Sequence, residues 1–439
     1  MSTFLREEAN GYWQRIRQFS PNAKKLILSN ITRAFGWGIT QTLLNLYWIS
    51  LGYSKTFLGG LMSLNAFSMA IASLIMGAYV SRVGTKPALI SAMIISVMVG
   101  FLQVGAPLPE VLLTLSVVSG LALALLNVSW GPFLARSSTA YERTHLFGTS
   151  QAIVILSSFI SNTFAGYLPS IFAISLELPI DSPPTFQLAL FIHVIPLALS
   201  IVPLLLISET DRFTTIELSD KTSTLRPVLQ KEVKPLLLRF SIVNLLIGLG
   251  AGFVIPYLNI FFWEFYNLPT HLVGIIQGLG SLSVAVGVFL APVLSTRIGK
   301  VKTVVVTQSF SLPFLLLIAT IIDPYVAIAS YIFRVVLMNA SGPVDSALRM
   351  ELVPERWRPT MSAVSSFSWN FPWAISTLIT GPLFDLQLYL LPFWFTLTSY
   401  TASTLVYAVF FRNIETRQRI HNETKSMEKK IEVPNARAP

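Results

Sequence analysis

The sequence contains no cysteine, only four histidines and few charged residues: 12% of its 439 residues are Asp, Glu, Lys or Arg. Without cysteine the chain forms no disulfide and no thiolate metal site. A soluble domain carries about 25% charged residues. A chain with so few charges cannot cover a surface that faces water, so lipid must be its main solvent.

The sequence also lacks the motifs of soluble enzymes and of ATP-driven pumps. It has no phosphate-binding glycine loop, no His-Glu-x-x-His and no nucleophile elbow. A membrane-embedded enzyme would cluster acids, histidines or metal ligands near one interface, and the histidines here are scattered. We therefore predict a protein that is not an enzyme and that uses no cofactor and no metal.

What the sequence does contain is long apolar runs, since 53% of its residues are hydrophobic. Barrel strands alternate apolar and polar residues over about ten positions, whereas these runs last roughly twenty residues, the length of a helix that crosses a bilayer. We predict an all-α membrane protein. Its twelve transmembrane helices cover residues 26–50, 56–80, 87–105, 110–135, 147–173, 186–207, 236–262, 270–294, 303–322, 324–347, 360–383 and 388–411.

The 31 Lys and Arg residues test this topology, because cytoplasmic loops are enriched in them. Lys55 lies on one side of the membrane, Arg33 and Arg334 lie inside spans, and all the others lie in the tails or in and around the loops after even-numbered spans. The pattern predicts that both termini are cytoplasmic in a multi-pass protein of the plasma membrane. The net charge of +10 then reflects topology and not nucleic-acid binding.

Three segments lie outside the two predicted bundles, 26–207 and 236–411. Residues 1–25 form a cytoplasmic N-terminal tail, in which apolar side chains repeat at helical spacing from Phe4 to Phe19. This spacing predicts an amphipathic helix on the membrane surface, and a frayed tail is the alternative. Residues 208–235 are a polar cytoplasmic linker, and residues 412–439 are a charged cytoplasmic C-terminal tail.

The two bundles are related by an internal repeat with a shift of about 214 residues. The matched pairs are Asn45 with Asn259, Gly59 with Gly274, Arg82 with Arg297, and Gly166 with Gly381. Six spans per half preserve orientation, so the repeats are parallel and related by an axis along the membrane normal. Many transporters are built in this way and hold their substrate near the midplane between the repeats.

The segment 77–86, GAYVSRVGTK, resembles the loop 2–3 signature of the major facilitator superfamily, and STRIGK at 295–300 is a weaker copy. Together with the span count and the repeat, the resemblance covers essentially the whole chain. It implies the fold of that family, two six-helix bundles, and the function of a secondary transporter. The sequence departs from the signature at Ser81, where the family usually has an acidic residue.

The same resemblance implies roles for five residues of these two segments. Glycines at Gly77 and Gly84 would allow close helix approach, and Arg82, Lys86 and Arg297 would latch the cytoplasmic side. The alternative is that these basic residues only set the topology.

Arg334 lies about ten residues into span 10, near the membrane midplane. A lone cation is costly there, so an intramembrane arginine is a candidate functional residue. We predict that Arg334 binds an anionic group of the substrate, and a structural arginine is the alternative. Asp345 follows on the same helical stripe, about 16 Å further along, too far for a direct pair. Asp345 is the candidate for gating or for carrying a coupling proton, and a structural cap or a charge that faces a loop is the alternative.

Polar and aromatic side chains mark further faces of spans 1, 5, 7 and 11. An aromatic wall with a few amides suits an amphipathic organic solute. Buried amides also form hydrogen bonds between helices, which is the alternative. The predicted substrate-binding residues of this group are Gln41, Asn45, Gln151, Asn162, Asn259, Trp369, Asn370 and Trp373.

Together these features predict a monomeric secondary transporter that moves a small organic solute by alternating access. Its partners would be that solute, membrane lipid and a coupling proton. Efflux of amphipathic compounds is the predicted direction, although span 5 lacks the Gly-Pro pair that such exporters usually carry there; Gly381-Pro382 lies in span 11. The alternatives are an uptake carrier for a small metabolite and a lipid-handling membrane protein.

Overall fold

The structure, a computed structural model, describes residues 19–136, 143–207, 233–354 and 357–413. Most of the predicted N-terminal amphipathic helix, of the linker and of the C-terminal tail lies outside these residues. In the described ranges the chain is helical and contains no strand. The long helices are α1 Pro21–Ser50, α2 Lys55–Val83, α3 Thr85–Gly105, α4 Pro109–Arg136, α5 Arg143–Leu176, α6 Pro183–Leu199, α7 Val233–Val254, α8 Thr270–Ile298, α9 Lys300–Thr320, α10 Pro324–Leu352, α11 Arg358–Asp385 and α12 Leu391–Phe411.

Several helices begin where the sequence supplies a capping side chain. Ser20 and Ser54 accept a hydrogen bond from the third residue of α1 and of α2, and Asp323 does the same for α10. These caps satisfy backbone N–H groups that have no partner within the helix. Helix α10 ends at Leu352 and not at the predicted residue 347, so Arg349 belongs to the helix and not to a loop.

Nine of the described helices are long and apolar enough to cross a membrane. They include α2 to α5 and α7 to α10, together with α6 extended by the short helix Ile201–Leu205. Helices α1, α11 and α12 are outside this set because polar and aromatic residues interrupt their apolar runs. For these three the predicted count of twelve spans stays a prediction.

The helices pack in two similar groups. In the first group, α1 contacts α5 and α6, α2 contacts α4, and α3 contacts α4 and α6. The second group repeats this pattern: α7 contacts α11 and α12, α8 contacts α10, and α9 contacts α10 and α12. The two groups meet mainly where α2 lies against α11 and α5 against α8. We call the side with the α1–α2, α5–α6, α7–α8 and α11–α12 turns the distal end, and the opposite side the terminal end.

The predicted span 236–262 lies within the candidate membrane span Val233–Phe265, but its helix is not continuous, because α7 breaks at Pro256. Residues Ile255–Tyr257 form a 3₁₀ turn, and Phe261–Phe265 form a π-helical turn. Proline has no N–H to donate and its ring clashes with the preceding helical turn, so it interrupts the ladder of helical hydrogen bonds. The Pro256 carbonyl accepts a hydrogen bond from the Asn45 amide of α1, 3.0 Å away.

Glycines allow the two groups to approach closely at the distal end. A Cβ atom built on Gly166 would lie 3.0 Å from the Cα of Gly274, and one built on Gly59 would lie 3.0 Å from the Thr377 carbonyl and 2.5 Å from the Tyr257 hydroxyl. Tyr257 is fully buried and donates to Thr377, so it cannot move aside easily. The distal end is therefore closed by backbone packing.

Neighbouring glycines offer a matched test of this packing. Gly59→Ala should destabilise the protein by about 1–3 kcal/mol, because an added methyl group overpacks the contact between α2 and α11. The measurement is the apparent midpoint of thermal unfolding of the purified protein. Gly60→Ala is the control, since no described heavy atom from elsewhere in the chain lies within 4 Å of its Cβ position and alanine favours a helix over glycine. Equal midpoints for the two variants would contradict the packing.

Candidate functional site

A cavity of about 560 Å³ lies inside the second group of helices. Along α10, which runs from Pro324 to Leu352, its wall extends from Tyr331 to Arg349 and so ends close to the terminal end of the helix. From the first group of helices only Gln41 reaches it among the described residues. The wall contains apolar and aromatic side chains, which include Val243, Ile247, Leu258, Val284, Tyr331, Trp369 and Tyr400. It also contains amides and hydroxyls, which include Gln41, Asn244, Gln277, Ser281, Gln308, Asn339 and Ser341.

Arg334 lies at the inner end of this cavity. Its side chain is only 4% exposed. One guanidinium nitrogen donates to the Tyr400 hydroxyl at 3.3 Å, and the guanidinium lies 5.6 Å from the centre of the Tyr400 ring. Its Nε is buried and has no partner among the described residues. Helix α10 thus places a buried cation, with one N–H donor that has no described partner, on the wall of the cavity.

Asp345 and Arg349 form an ion pair one turn apart nearer the terminal end of α10. The Arg349 guanidinium also lies 5.2 Å from the centre of the Phe240 ring and 3.4 Å from the Asn244 amide oxygen. The other Asp345 oxygen is buried without a partner in the described part of the chain. The partner of Asp345 is therefore a residue that the sequence pattern assigned to a loop.

The sequence pattern missed several residues of the cavity wall. Gln277 and Gln308 interrupt apolar runs of α8 and α9, the signal that singled out Gln41. Gln308 is held on both sides, donating to Ser341 at 3.3 Å and accepting from Thr404 at 3.2 Å. Tyr400 gave no comparable signal, because tyrosine is common in membrane helices.

Asn45 and Asn259 lie against each other and not on the cavity wall. The Asn45 amide donates to Asn259 at 3.2 Å and to the Pro256 carbonyl, and Asn259 donates to the Thr42 carbonyl at 3.2 Å. Each asparagine thus bonds to the backbone of the opposite group of helices. This is the interhelical alternative, and substrate contact by this pair stays a prediction.

A polar latch closes the distal end beside the glycine contacts. The Asp385 carboxylate accepts hydrogen bonds from the backbone N–H groups of Lys55 and Thr56, both at 2.8 Å, and from the Thr56 hydroxyl at 2.6 Å. The Lys55 ammonium lies 3.1 Å from Glu264, which also accepts from Tyr389 at 2.8 Å. Asp385 therefore caps the first turn of α2 from the opposite group of helices, where a negative charge is favourable.

Asp385 lies beyond the predicted span 360–383, and its surroundings favour the ionised form. Burial acts to raise the pKa of this carboxyl, but the hydrogen bonds from Thr56 and Lys55 and the Lys55 charge outweigh burial and hold the pKa below its ordinary value. A lowered pKa stabilises the closed end at every pH above the ordinary range of aspartate. That contribution is lost only as the pH falls through the lowered pKa.

Residues 26–377 match the sequence profile of the Major Facilitator Superfamily. The chain belongs to this superfamily. Its members are carriers rather than enzymes, so the predictions of a transporter family and of no enzymatic activity are confirmed. The chain is a multi-pass membrane protein with a fold consistent with a secondary transporter. No curated protein sequence matches it.

Solved structures of superfamily transporters share this fold. The nucleoside transporter NupG has a TM-score of 0.67 at 14% identity, with 89% of this chain and 99% of that chain covered. A bacterial homologue of the human lysosomal transporter Spinster, in an inward-facing and occupied conformation, has a TM-score of 0.66 at 12% identity, with 91% of this chain and 97% of that chain covered. A bacterial homologue of the iron transporter ferroportin, in an inward-facing state, has a TM-score of 0.60 at 16% identity, with 89% of this chain and 98% of that chain covered. These identities show a common fold alone.

The superfamily signature at residues 77–86 lies at the terminal end. Gly84 and its repeat Gly299 join consecutive helices with φ of +96° and +91°, a conformation that glycine adopts without strain. The Lys86 ammonium donates to the Ile207 carbonyl at 2.7 Å, within its own group of helices. Arg82 and Arg297 are exposed, and no described heavy atom lies within 4 Å of a Cβ built on Gly77. Latching roles for these residues stay predictions.

The remaining predicted binding residues lie apart from the cavity wall. Asn162 is buried between Thr42 and Ser281, which joins α1, α5 and α8. Asn370 donates to Ser366 in its own helix. Trp373 stacks on Trp369 at 6.2 Å, and Gln151 is exposed on α5. Of the predicted set, Gln41, Arg334 and Trp369 line the cavity, together with Asp345.

The polar latch can be tested by thiol labelling, because the chain contains no native cysteine. In a Met338→Cys background, which places one thiol in the cavity, Asp385→Ala should increase labelling by a membrane-impermeant maleimide added at the distal side. The loss of the α2 cap costs about 1 kcal/mol and shifts the population toward an open distal end by roughly fivefold. The measurement is the labelling rate in vesicles of known orientation.

Asp323→Ala is the matched control for this experiment. Asp323 is also a distal aspartate that caps a helix, but it caps its own helix, α10, at Val326. An equal increase in labelling for both variants would mean that helix capping alone, and not contact between the two groups, sets access.

Proposed function

We propose that this protein is a secondary transporter that carries a small amphipathic organic solute by alternating access across the plasma membrane. All twelve long helices would span the membrane. The closed distal end and the cavity that extends toward the terminal end correspond to one of the two states that alternating access requires. Rocking of the two groups of helices would open the distal end and close the terminal end.

The charges of the described residues support cytoplasmic termini. Six acidic residues lie at or near distal helix ends, with Lys55 as their one described basic neighbour; they are Glu110, Glu177, Asp181, Glu264, Asp323 and Asp385. Lysines and arginines predominate at the terminal end, as in Lys24, Lys25, Arg82, Lys86, Arg297, Lys300 and Lys302. Since cytoplasmic loops are enriched in Lys and Arg, the proposed state is open toward the cytoplasm.

The composition of the cavity wall carries the proposal of an amphipathic solute. A wall that combines aliphatic and aromatic side chains with several amides matches a solute with an apolar body and a few polar groups. The volume of about 560 Å³ is in the range of small-molecule sites. Export remains the proposed direction, and Asp345, with one buried oxygen free, is the proposed carrier of a coupling proton.

Flux measurements test the transporter proposal. Purified protein in proteoliposomes should show saturable flux for at least one amphipathic solute in a metabolite and drug panel, and an imposed proton gradient should set its direction. Trp369→Ala should lower that flux at least about tenfold, because a buried aromatic contact contributes about 1.4 kcal/mol or more to binding. Trp394→Ala, on the exposed face of α12, is the control.

Two results would reject the proposal. One is an absence of saturable flux for every solute, together with turnover or scrambling of lipid, which would favour the lipid-handling alternative. The other is an equal flux for the Trp369 and Trp394 variants, which would place the transport path elsewhere.

A further inference from the structure

We infer that the transported solute is an organic monoanion whose negative group binds to Arg334. This inference rests on the proposed transporter function and adds the chemical class of its substrate. Its basis is the set of charges around the cavity and their partners.

The charged groups of the cavity wall do not cancel. In the described part of the chain the ion pairs are Lys55 with Glu264, Lys300 with Glu351, and Arg349 with Asp345. The cavity wall carries Arg334, Arg349 and Asp345, and the last two neutralise each other. One positive charge, that of Arg334, remains without an acidic partner in those residues.

No carboxylate of the cavity wall can supply the missing charge. Asp345 lies about 16 Å from Arg334 along α10, at a rise of 1.5 Å per residue. It is also bound to Arg349. A buried cation without a counterion costs several kcal/mol. A solute that brings one negative charge removes that cost, whereas a neutral or cationic solute does not.

The donors around Arg334 fit an anionic group. The buried Nε–H has no described partner, and a guanidinium presents its N–H groups in a planar fork that matches a carboxylate. The Tyr400 hydroxyl accepts from Arg334 and therefore keeps its own proton for a second acceptor. Two donors on different helices can thus meet one oxyanion.

The apolar part of the wall explains why the anion would be organic. Tyr331 precedes Arg334 by one turn, and Val243, Ile247 and Trp369 also line the cavity. An inorganic anion would leave these side chains without contact. A monoanion with an apolar or aromatic body covers them while its charged group meets Arg334.

Three probes with one aromatic body separate charge from shape: 2-naphthoate, 2-naphthamide and 2-naphthylmethylammonium. Each is titrated against purified protein at neutral pH, and its dissociation constant is obtained from the shift of the thermal unfolding midpoint. We expect stabilisation by the naphthoate, and at least about tenfold weaker binding of the amide and the ammonium. A charged hydrogen bond corresponds to roughly a 10- to 100-fold change in affinity.

Two variants assign the effect to Arg334. Arg334→Gln should weaken naphthoate binding about 10- to 100-fold and leave amide binding unchanged. Arg334→Lys keeps the charge without the planar fork and should give an intermediate loss. Arg239→Gln, whose guanidinium lies over Phe410 outside the cavity wall, is the control. If Arg334→Gln does not fold, the affinities of the three probes for the natural protein still test whether the cavity prefers an anion.

The inference is overturned if the amide or the ammonium binds as tightly as the naphthoate, if Arg334→Gln binds naphthoate normally, or if none of the probes binds. Naphthoate flux into proteoliposomes separates this inference from the proposed function. Arg334-dependent binding without flux of any solute would reject the transporter and keep the anion site. Saturable flux of neutral solutes with no binding of naphthoate would keep the transporter function and reject the anion site.

Discussion

The hydrogen bonds made by Asn45 and Asn259 join the two groups of helices at the point where α7 is broken. A backbone carbonyl that leaves a helix within the membrane needs another donor. The Asn45 amide donates to the Pro256 carbonyl, and the Asn259 amide donates to the Thr42 carbonyl of α1. The junction lies near the distal ends of α1 and α7. Beyond it glycines bring helices into contact, whereas on its terminal side the helices enclose the cavity, so closure and access are set by one arrangement.

The internal repeat made much of this arrangement predictable. It matched Asn45 with Asn259, and Gly59 and Gly166 with Gly274 and Gly381. In the structure the two asparagines contact each other, and the glycines meet as crossed pairs, with Gly59 close to Gly381 and Gly166 close to Gly274. A repeat shows that two positions have the same structural role in the two groups of helices, but it does not show whether the two residues contact each other. The break at Pro256 has no match in α1, so the repeat could not reveal it.

The candidate site was less predictable, because a polar residue in an apolar run can either line a cavity or form a hydrogen bond between helices. A charge in an apolar run identified Arg334, since few side chains are as costly in a membrane. Amides gave no such distinction: Gln41 lines the cavity, whereas Asn45 and Asn162 join helices. Arg349 was missed because α10 extends past its predicted end by more than a turn. Tyr400 was missed because a tyrosine hydroxyl acquires its role only from the residue beside it, which lies on another helix.

The site is therefore as asymmetric as the scaffold is symmetric. The second group of helices supplies nearly all of the described cavity wall, and the first supplies the α2 end that the latch holds. Under the proposed alternating access, such a division would let the first group move while a solute stays on the second. The latch would suit this motion, because one ion pair and one helix cap together are worth about 1–3 kcal/mol. A free-energy difference of that size would keep the proposed second state populated at the per cent level.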